Sequence, residues 1–160
     1  MLTQEVVKSL FTYSPDTGEL RNKVKRAQRS KIGDSPGYIN HDGYLRIQIK
    51  GKNYMAHRII WLYVYGEWPI NQLDHINGIP SDNRISNLRP ATNSENRQNL
   101  HRAHKNNKSG FLGVGKNWNK WKACIKINNK LIYLGSYKTP QEAHKVYMEA
   151  KRRIHHACTI

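Results

Sequence analysis

The sequence predicts an α+β protein of two small domains, on three observations. Short runs of alternating apolar and polar residues, bounded by Gly, Asn, Asp and Pro, recur along the chain. Helix-forming stretches open at Thr-x-x-Glu capping boxes. Charge divides unevenly: residues 1–100 hold 14 Lys and Arg against 9 Asp and Glu, whereas residues 101–160 hold 13 against 2. The polar stretch HRAHKNNKSG at 101–110 reads as a linker or a fraying helix end, which places domains at 1–100 and 108–160 with 101–107 joining them.

Each element follows from local pattern. Val6, Val7 and Leu10 share one face of a helix over about Thr3 to Leu10. The turn SPDTG at 14–18 predicts a hairpin from Phe11–Tyr13 to Glu19–Arg21. Six basic residues between Arg21 and Lys31 form either a solvated loop or a contact to a DNA backbone. Short antiparallel strands are expected at Gly37–Asn40, Tyr44–Ile49 and Asn53–Ala56, then a helix over His57–Tyr65, stopped by Gly66 and Trp68-Pro69. Leu73–Ile76 and Asn87–Arg89 read as two strands about a polar loop. Thr92-Asn93-Ser94-Glu95 opens the next helix, expected to carry Leu100 and Ala103 on its inward face. Beyond the linker, Phe111–Gly115, Trp121–Ile127 and Leu131–Tyr137 make three strands, the last two joined by Asn128-Asn129. A helix with Thr139 as cap and Pro140 in its first turn packs Ala143, Val146, Tyr147, Ala150 and Ile154 on one stripe.

Composition narrows the function. The 38% hydrophobic and 24% charged content fits a folded chain, and 27 Lys and Arg against 11 Asp and Glu give a net charge of +16. Such a field favours a polyanion. No apolar run of about 18 residues exists, and the N-terminus lacks a basic segment followed by an apolar one, so neither membrane span nor signal peptide is expected. Basic residues alternate with aromatics, which points to nucleic acid, and to duplex DNA over RNA because no aromatic single-strand platform is apparent. Cys124 and Cys158 form no CxxC pair, so no structural zinc is expected, and free thiols suit a reducing cytoplasm.

The chemistry-bearing segment is LDHINGIPSDNRISNLRPATNSEN, residues 73–96. It sets Asp74 and His75 at the end of a strand, Asn87 beyond a polar loop, and Asn96 in the first turn of a helix. A carboxylate and an amide oxygen are hard ligands suited to Mg²⁺, and a histidine beside them can take a proton from water near neutral pH. His57 reads as packed or hydrogen-bonded before it reads as a ligand. Arg58 is as compatible with a phosphate contact as with a surface role. His101 and His104, three apart, read as a solvated helix end before a metal pair.

This segment resembles the ββα-metal core of HNH endonucleases, in particular the phage-borne, intron-encoded homing type. DHINGIPSDNRISNLR is similar to the stretch from the first His to the middle Asn, TNSEN to the closing helix, and AHRIIW at 56–61 to the helix before them. The resemblance implies that His75 is the general base, that Asp74 and Asn96 hold one Mg²⁺ or Mn²⁺ ion, and that Asn87 hydrogen-bonds across the loop to orient His75. Asn96 stands where a His is more usual, with Asn93 and Asn99 as alternative registers.

In the second domain, Trp121, Ala123, Ile125 and Ile127 alternate with Lys122, Cys124 and Lys126, so one sheet face is buried and the other basic. SGFLGVGKNWNKWKACIKINNKLIYLGSYKTPQEAHKVY resembles the apetala-two or ethylene-response DNA-binding domain of plants. The resemblance puts Lys116, Trp118, Lys122, Lys126 and Tyr133 on the DNA face, with Lys120 beside them. Together these imply a DNA endonuclease of a bacterial host or its phage, a monomer favoured, cutting duplex DNA that the C-terminal module holds. A DNA-binding regulator with an inactive nuclease core is the alternative.

Overall fold

The structure is a computed structural model and describes residues 2–104 and 106–159. It is a mixed α+β protein with short antiparallel sheets, and it separates into two compact units, Met1–Thr92 and Asn93–Ile160.

In the first unit, Thr3 caps helix α1 (Gln4–Leu10) by accepting the amide of Val6, and Val7 turns into the core. The chain then runs directly into strand β1 (Phe11–Tyr13), which pairs antiparallel with β2 (Leu20–Asn22). A second sheet holds β3 (Tyr38–Ile39), β4 (Leu45–Ile49) and β5 (Lys52–Met55) in that order. Helix α2 (Ala56–Tyr65) follows, and Gly66 closes it by donating its amide to the carbonyl of Leu62. Val7, Phe11, Leu20, Ile47, Ile49, Ile59, Ile60 and Leu62 form one buried cluster, so α1, the first hairpin, β4 and α2 share a core. Strand β6 (Gln72–His75) pairs antiparallel with β7 (Leu88–Ala91), and a 3-10 turn at Ile85–Asn87 leads into β7.

The basic stretch at 21–31 divides by role. Arg21 bonds Glu19 and the carbonyl of Gly33, and Arg26 lies 4.6 Å from the Phe11 ring centroid while bonding the carbonyl of Gln48. Lys23, Lys25, Arg29 and Lys31 are exposed.

The second unit begins at helix α3 (Asn93–Gln98), so the division falls ahead of the expected 101–107 linker. The helix also stops sooner than expected: Leu100 is exposed and does not continue an inward face. The residues after α3 are tied to the C-terminal end instead. The Lys151 ammonium, fully buried, donates to the carbonyl of Leu100; Gln98 accepts the amide of Ala157; and the Thr159 hydroxyl donates to Asn99. Strands β8 (Val114–Asn117), β9 (Lys120–Ile127) and β10 (Lys130–Tyr137) form an antiparallel sheet with β9 central. The first strand starts at Val114 and not Phe111 because Gly113 takes φ +71°, outside extended geometry, where the Tyr147 ring leaves no room for a Cβ. Asn128 and Asn129 both adopt positive φ, as a two-residue hairpin turn between right-twisted strands requires. Helix α4 (Pro140–Ile154) opens at a complete capping box of Thr139 and Glu142 and packs Ala143 and Tyr147 against Val114, Ala123 and Ile125.

Candidate active site

Strand β6 carries Asp74 and His75 side by side, and the hairpin register sets Asp74 opposite Arg89 and His75 opposite Leu88. Both residues are buried, at 6% and 4% exposure. The Asp74 carboxylate accepts two hydrogen bonds on Oδ2 from Arg89, from Nε at 3.0 Å and from Nη2 at 2.8 Å. This cross-strand pair keeps a carboxylate inside the fold without leaving its charge uncompensated.

The loop from Asn77 to Asn87 is built on three asparagines. Asn87 bonds across it: Oδ1 accepts the Asn77 amide, while Nδ2 donates to Asn77 Oδ1 and to the carbonyl of Asp82. Its own carbonyl accepts the amide of Ile76, next to His75. Asp82 is clamped in turn by Asn77 and a two-pronged contact from Arg84, whose guanidinium draws the Asp82 carboxyl down to about 2. The side chain that meets His75 is Asn83. Its Oδ1 lies 3.2 Å from His75 Nε2, and its Nδ2 donates to the Ser81 carbonyl at 3.3 Å. Asn87 thus bonds across the loop as expected, and the side chain that meets the His75 ring is Asn83.

His75 is enclosed by rings. His57 stands edge-on with centroids 5.1 Å apart, and Tyr44 is tilted at 5.7 Å. Burial lowers the His75 pKa, opposed by the Asn83 hydrogen bond and the Asp74 and Asp82 charges. Burial, then His75 and Arg58, pulls His57 down to about 3, so His57 is a neutral packed ring at physiological pH. Desolvation raises the Tyr44 hydroxyl, with Asp74 and Asp42 adding to it.

Among the described residues no group of three or more His, Cys, Asp or Glu side chains could hold a metal ion. The available donors, a carboxylate beside amide oxygens, are hard ligands of the kind Mg²⁺ accepts in small number while keeping its waters. Asp74 lies in the first unit and Asn96, half-buried in α3, in the second. Of the alternative registers, Asn93 is exposed, and Asn99 is buried with its Oδ1 meeting His101 and Thr159. His101 and His104 lie past the end of α3, so no helical spacing pairs them. Arg58 points back into its own unit, towards the carbonyls of Pro69 and Asn71 and 5.9 Å from the Trp68 ring centroid.

Sequence reasoning passed over Asn83, Arg89 and Tyr13. Arg89 was readable only once the hairpin register was known. Asn83 lies inside the quoted motif, eight residues after His75. Tyr13 is distant in sequence: its hydroxyl donates to the Asn83 carbonyl at 3.0 Å and accepts the Ile85 amide at 2.8 Å.

The second unit presents its sheet face as the alternation requires. Lys120, Lys122 and Lys126 are exposed on β9, with half-buried Cys124 among them. Opposite on β10, Tyr133 pairs with Cys124, Leu131 with Lys126 and Ser136 with Lys122. The hydroxyl of Tyr133 donates to Ser136, which also accepts from Asn117 across the sheet. Trp118 sits in the β8–β9 turn at φ +53°, 92% exposed. Lys116 departs from expectation. It pairs with Trp121, and its ammonium lies 4.4 Å from that ring, on the helix side of the sheet and not with Lys122 and Lys126. The pleat causes this, since Gly115 and Asn117 are the β8 residues that share the Lys122 face.

No helix among the described residues is long and apolar enough to cross a membrane. No curated protein and no solved structure matches the chain. Residues 54–98, from the end of β5 through α2 and the β6–β7 hairpin to α3, match the family model of HNH endonucleases, so this stretch is similar to a nuclease domain that acts on DNA.

Proposed function

We propose that the protein is a metal-dependent endodeoxyribonuclease of the homing or phage type, hydrolysing duplex DNA to 5′-phosphate and 3′-hydroxyl ends. The observation that carries this reading is a buried histidine adjoining a buried carboxylate, inside the stretch similar to HNH endonucleases. In this reading His75 takes the proton of the attacking water, and its lowered pKa keeps it in the neutral form a general base needs. Asp74, steadied by Arg89, is the carboxylate ligand of one Mg²⁺ or Mn²⁺ ion; the resemblance of residues 73–96 to the HNH motif would add Asn96 as its amide ligand. The chemistry supplied by that ion when bound is neutralisation of charge on the phosphate and the departing 3′ oxygen. Asn87 holds the loop closed behind His75.

The second unit holds the substrate. Lys120, Lys122 and Lys126 place positive charge along one strand, and Trp118 and Tyr133 add aromatic surface, a combination suited to a groove of B-form DNA. One site per chain favours a monomer that nicks, with cleavage of both strands requiring two chains to act together, in the cytoplasm of a bacterial host or its phage-infected cell.

Supercoiled plasmid incubated with the protein and Mg²⁺ tests this. Wild type converts the plasmid to the nicked form, and His75→Ala slows the conversion by about 10²- to 10⁴-fold, the usual contribution of a general base. A wild type that leaves plasmid and cognate-site DNA as intact as the variant does, while still binding both, makes the protein a DNA-binding regulator instead.

A further inference from the structure

Strand β8 covers only part of β9. Their pairing ends at Val114 and Ala123, followed by one bond from the Cys124 amide to the Gly113 carbonyl. Residues 124–127 therefore have β10 on one side and no strand on the other. The two-residue turn at Asn128-Asn129 makes Ile127 and Lys130 its hydrogen-bonded closing pair, so Lys126 directs its backbone amide and carbonyl to the open edge. The carbonyl is taken by the His155 ring, with Nε2 at 3.0 Å. Between this edge, α3 and the end of α4 lies a cavity of about 620 Å³, wholly within the second unit.

The chemistry of its walls is one-sided. Arg97 lines it from α3 and Lys126 from β9, and no carboxylate does so. Among the described residues neither cation forms an ion pair. His155 differs from both in being only 8% exposed. Its Nε2 carries a proton, because the Lys126 carbonyl can only accept. Its Nδ1 is buried and has no hydrogen-bond partner. Buried polar atoms are almost always partnered, so this nitrogen marks a contact that the chain itself does not supply. A cation there would face Arg97 and Lys126. An anion satisfies all three groups: the two exposed side chains by charge, and His155 as an imidazolium that donates from Nδ1 while Nε2 keeps the carbonyl.

We infer that this cavity binds one backbone phosphate of duplex DNA, with Arg97 and Lys126 as its cationic contacts and His155 as its buried donor. The choice of a DNA phosphate follows from position. Lys126 and its cross-strand neighbour Leu131 line the cavity and also belong to the sheet face that carries Lys122 and Tyr133. A duplex lying on that face meets the cavity at its margin, so a backbone phosphate can enter while the bases stay over the sheet. This rests on the reading of the second unit as the part that holds DNA, and it extends the interface from the sheet to α3.

The test uses the full chain without metal, ¹³C,¹⁵N-labelled at histidine, with two probes: a short duplex of arbitrary sequence, and inorganic phosphate at matched ionic strength. The His155 ring is assigned by through-bond correlation to its own backbone, so no variant of a buried residue is needed. Saturating duplex is expected to move the His155 Nδ1 resonance to that of a protonated nitrogen. Arg97→Gln, at an exposed position, should flatten the dependence of log affinity on log salt by about 0.9 and weaken binding equally for unrelated sequences. If bound duplex leaves either the Nδ1 resonance or the Arg97→Gln slope unchanged, the proposal is overturned while the sheet remains the DNA surface. Inorganic phosphate that moves the resonance when duplex does not makes this a site for free phosphate, which overturns it too. A chain that binds no duplex even at low salt refutes the DNA-holding reading itself, and the proposal with it.

Discussion

In the first unit the polar groups that matter lie inside: Asp74, His75, Asn83 and Asn87 are each less than a tenth exposed, and Asp74, Asn83 and Asn87 bond to neighbouring groups within that unit. In the second unit they lie outside, where Lys120, Lys122 and Lys126 face solvent beside Tyr133 and a nearly bare Trp118. Burial explains the contrast. On the proposed function, a group that accepts a proton gains from a dry, rigid surround that favours its neutral form. A surface that must find a polyanion gains from charges left hydrated, since counterion release and steering act through solvent. The two regions should therefore respond to different perturbations.

The largest effect sought in the second unit is on packing and not on charge. Gly113→Ala puts a methyl 1.9 Å from the Tyr147 ring at a positive φ, and should cost about 3 kcal/mol or more by overpacking and backbone strain. Urea denaturation measures this, and a loss below about 1 kcal/mol would mean that the Tyr147 ring yields easily. In the first unit the sensitive variable is pH. His57 has a folded pKa of about 3 against 6.5 when unfolded. Above the unfolded value neither state is charged and there is no effect; below it the unfolded chain binds a proton that the native state refuses, so stability falls as pH falls. Between pH 7 and 5 the wild type should lose about 2 kcal/mol more than His57→Phe, read from denaturation curves at both pH values. Equal losses would place His57 in water. The smallest effect is on the basic face. Lys122→Ala with Lys126→Ala should flatten the dependence of log affinity on log salt by about 1.8, at about 0.9 for each phosphate no longer neutralised, and leave the nicking rate of saturated DNA unchanged. A slope that does not move would remove this face from the DNA interface.

How much of this was legible in the sequence depended on how local each feature is. The β9 alternation, the Asn128-Asn129 turn and the Thr139–Glu142 box need only neighbours within a few residues, and all appear in the structure. Asp74 and His75 were legible as a chemical pair because they are adjacent. Asn83 was not, since its approach to His75 depends on a loop shaped by Asn77, Asp82 and Asn87 and braced by Tyr13, about seventy residues upstream. Lys116 was misassigned for a related reason. Its face is decided by where β8 begins, and the positive φ of Gly113 moves that start to Val114. The early stop of α3 had no local signal, because the partners of residues 98–100 come from Lys151, Ala157 and Thr159.

Those last bonds bear on how such a module could be exchanged between proteins. The second unit is readily pictured as a block joined by a dispensable linker, cut out anywhere between 101 and 107. Here the carbonyl that neutralises the need of a fully buried ammonium lies upstream of that stretch, at Leu100. A fragment begun at residue 108 would carry Lys151 without its acceptor, whereas one begun ahead of α3, at the boundary where the compact units divide, keeps the two together.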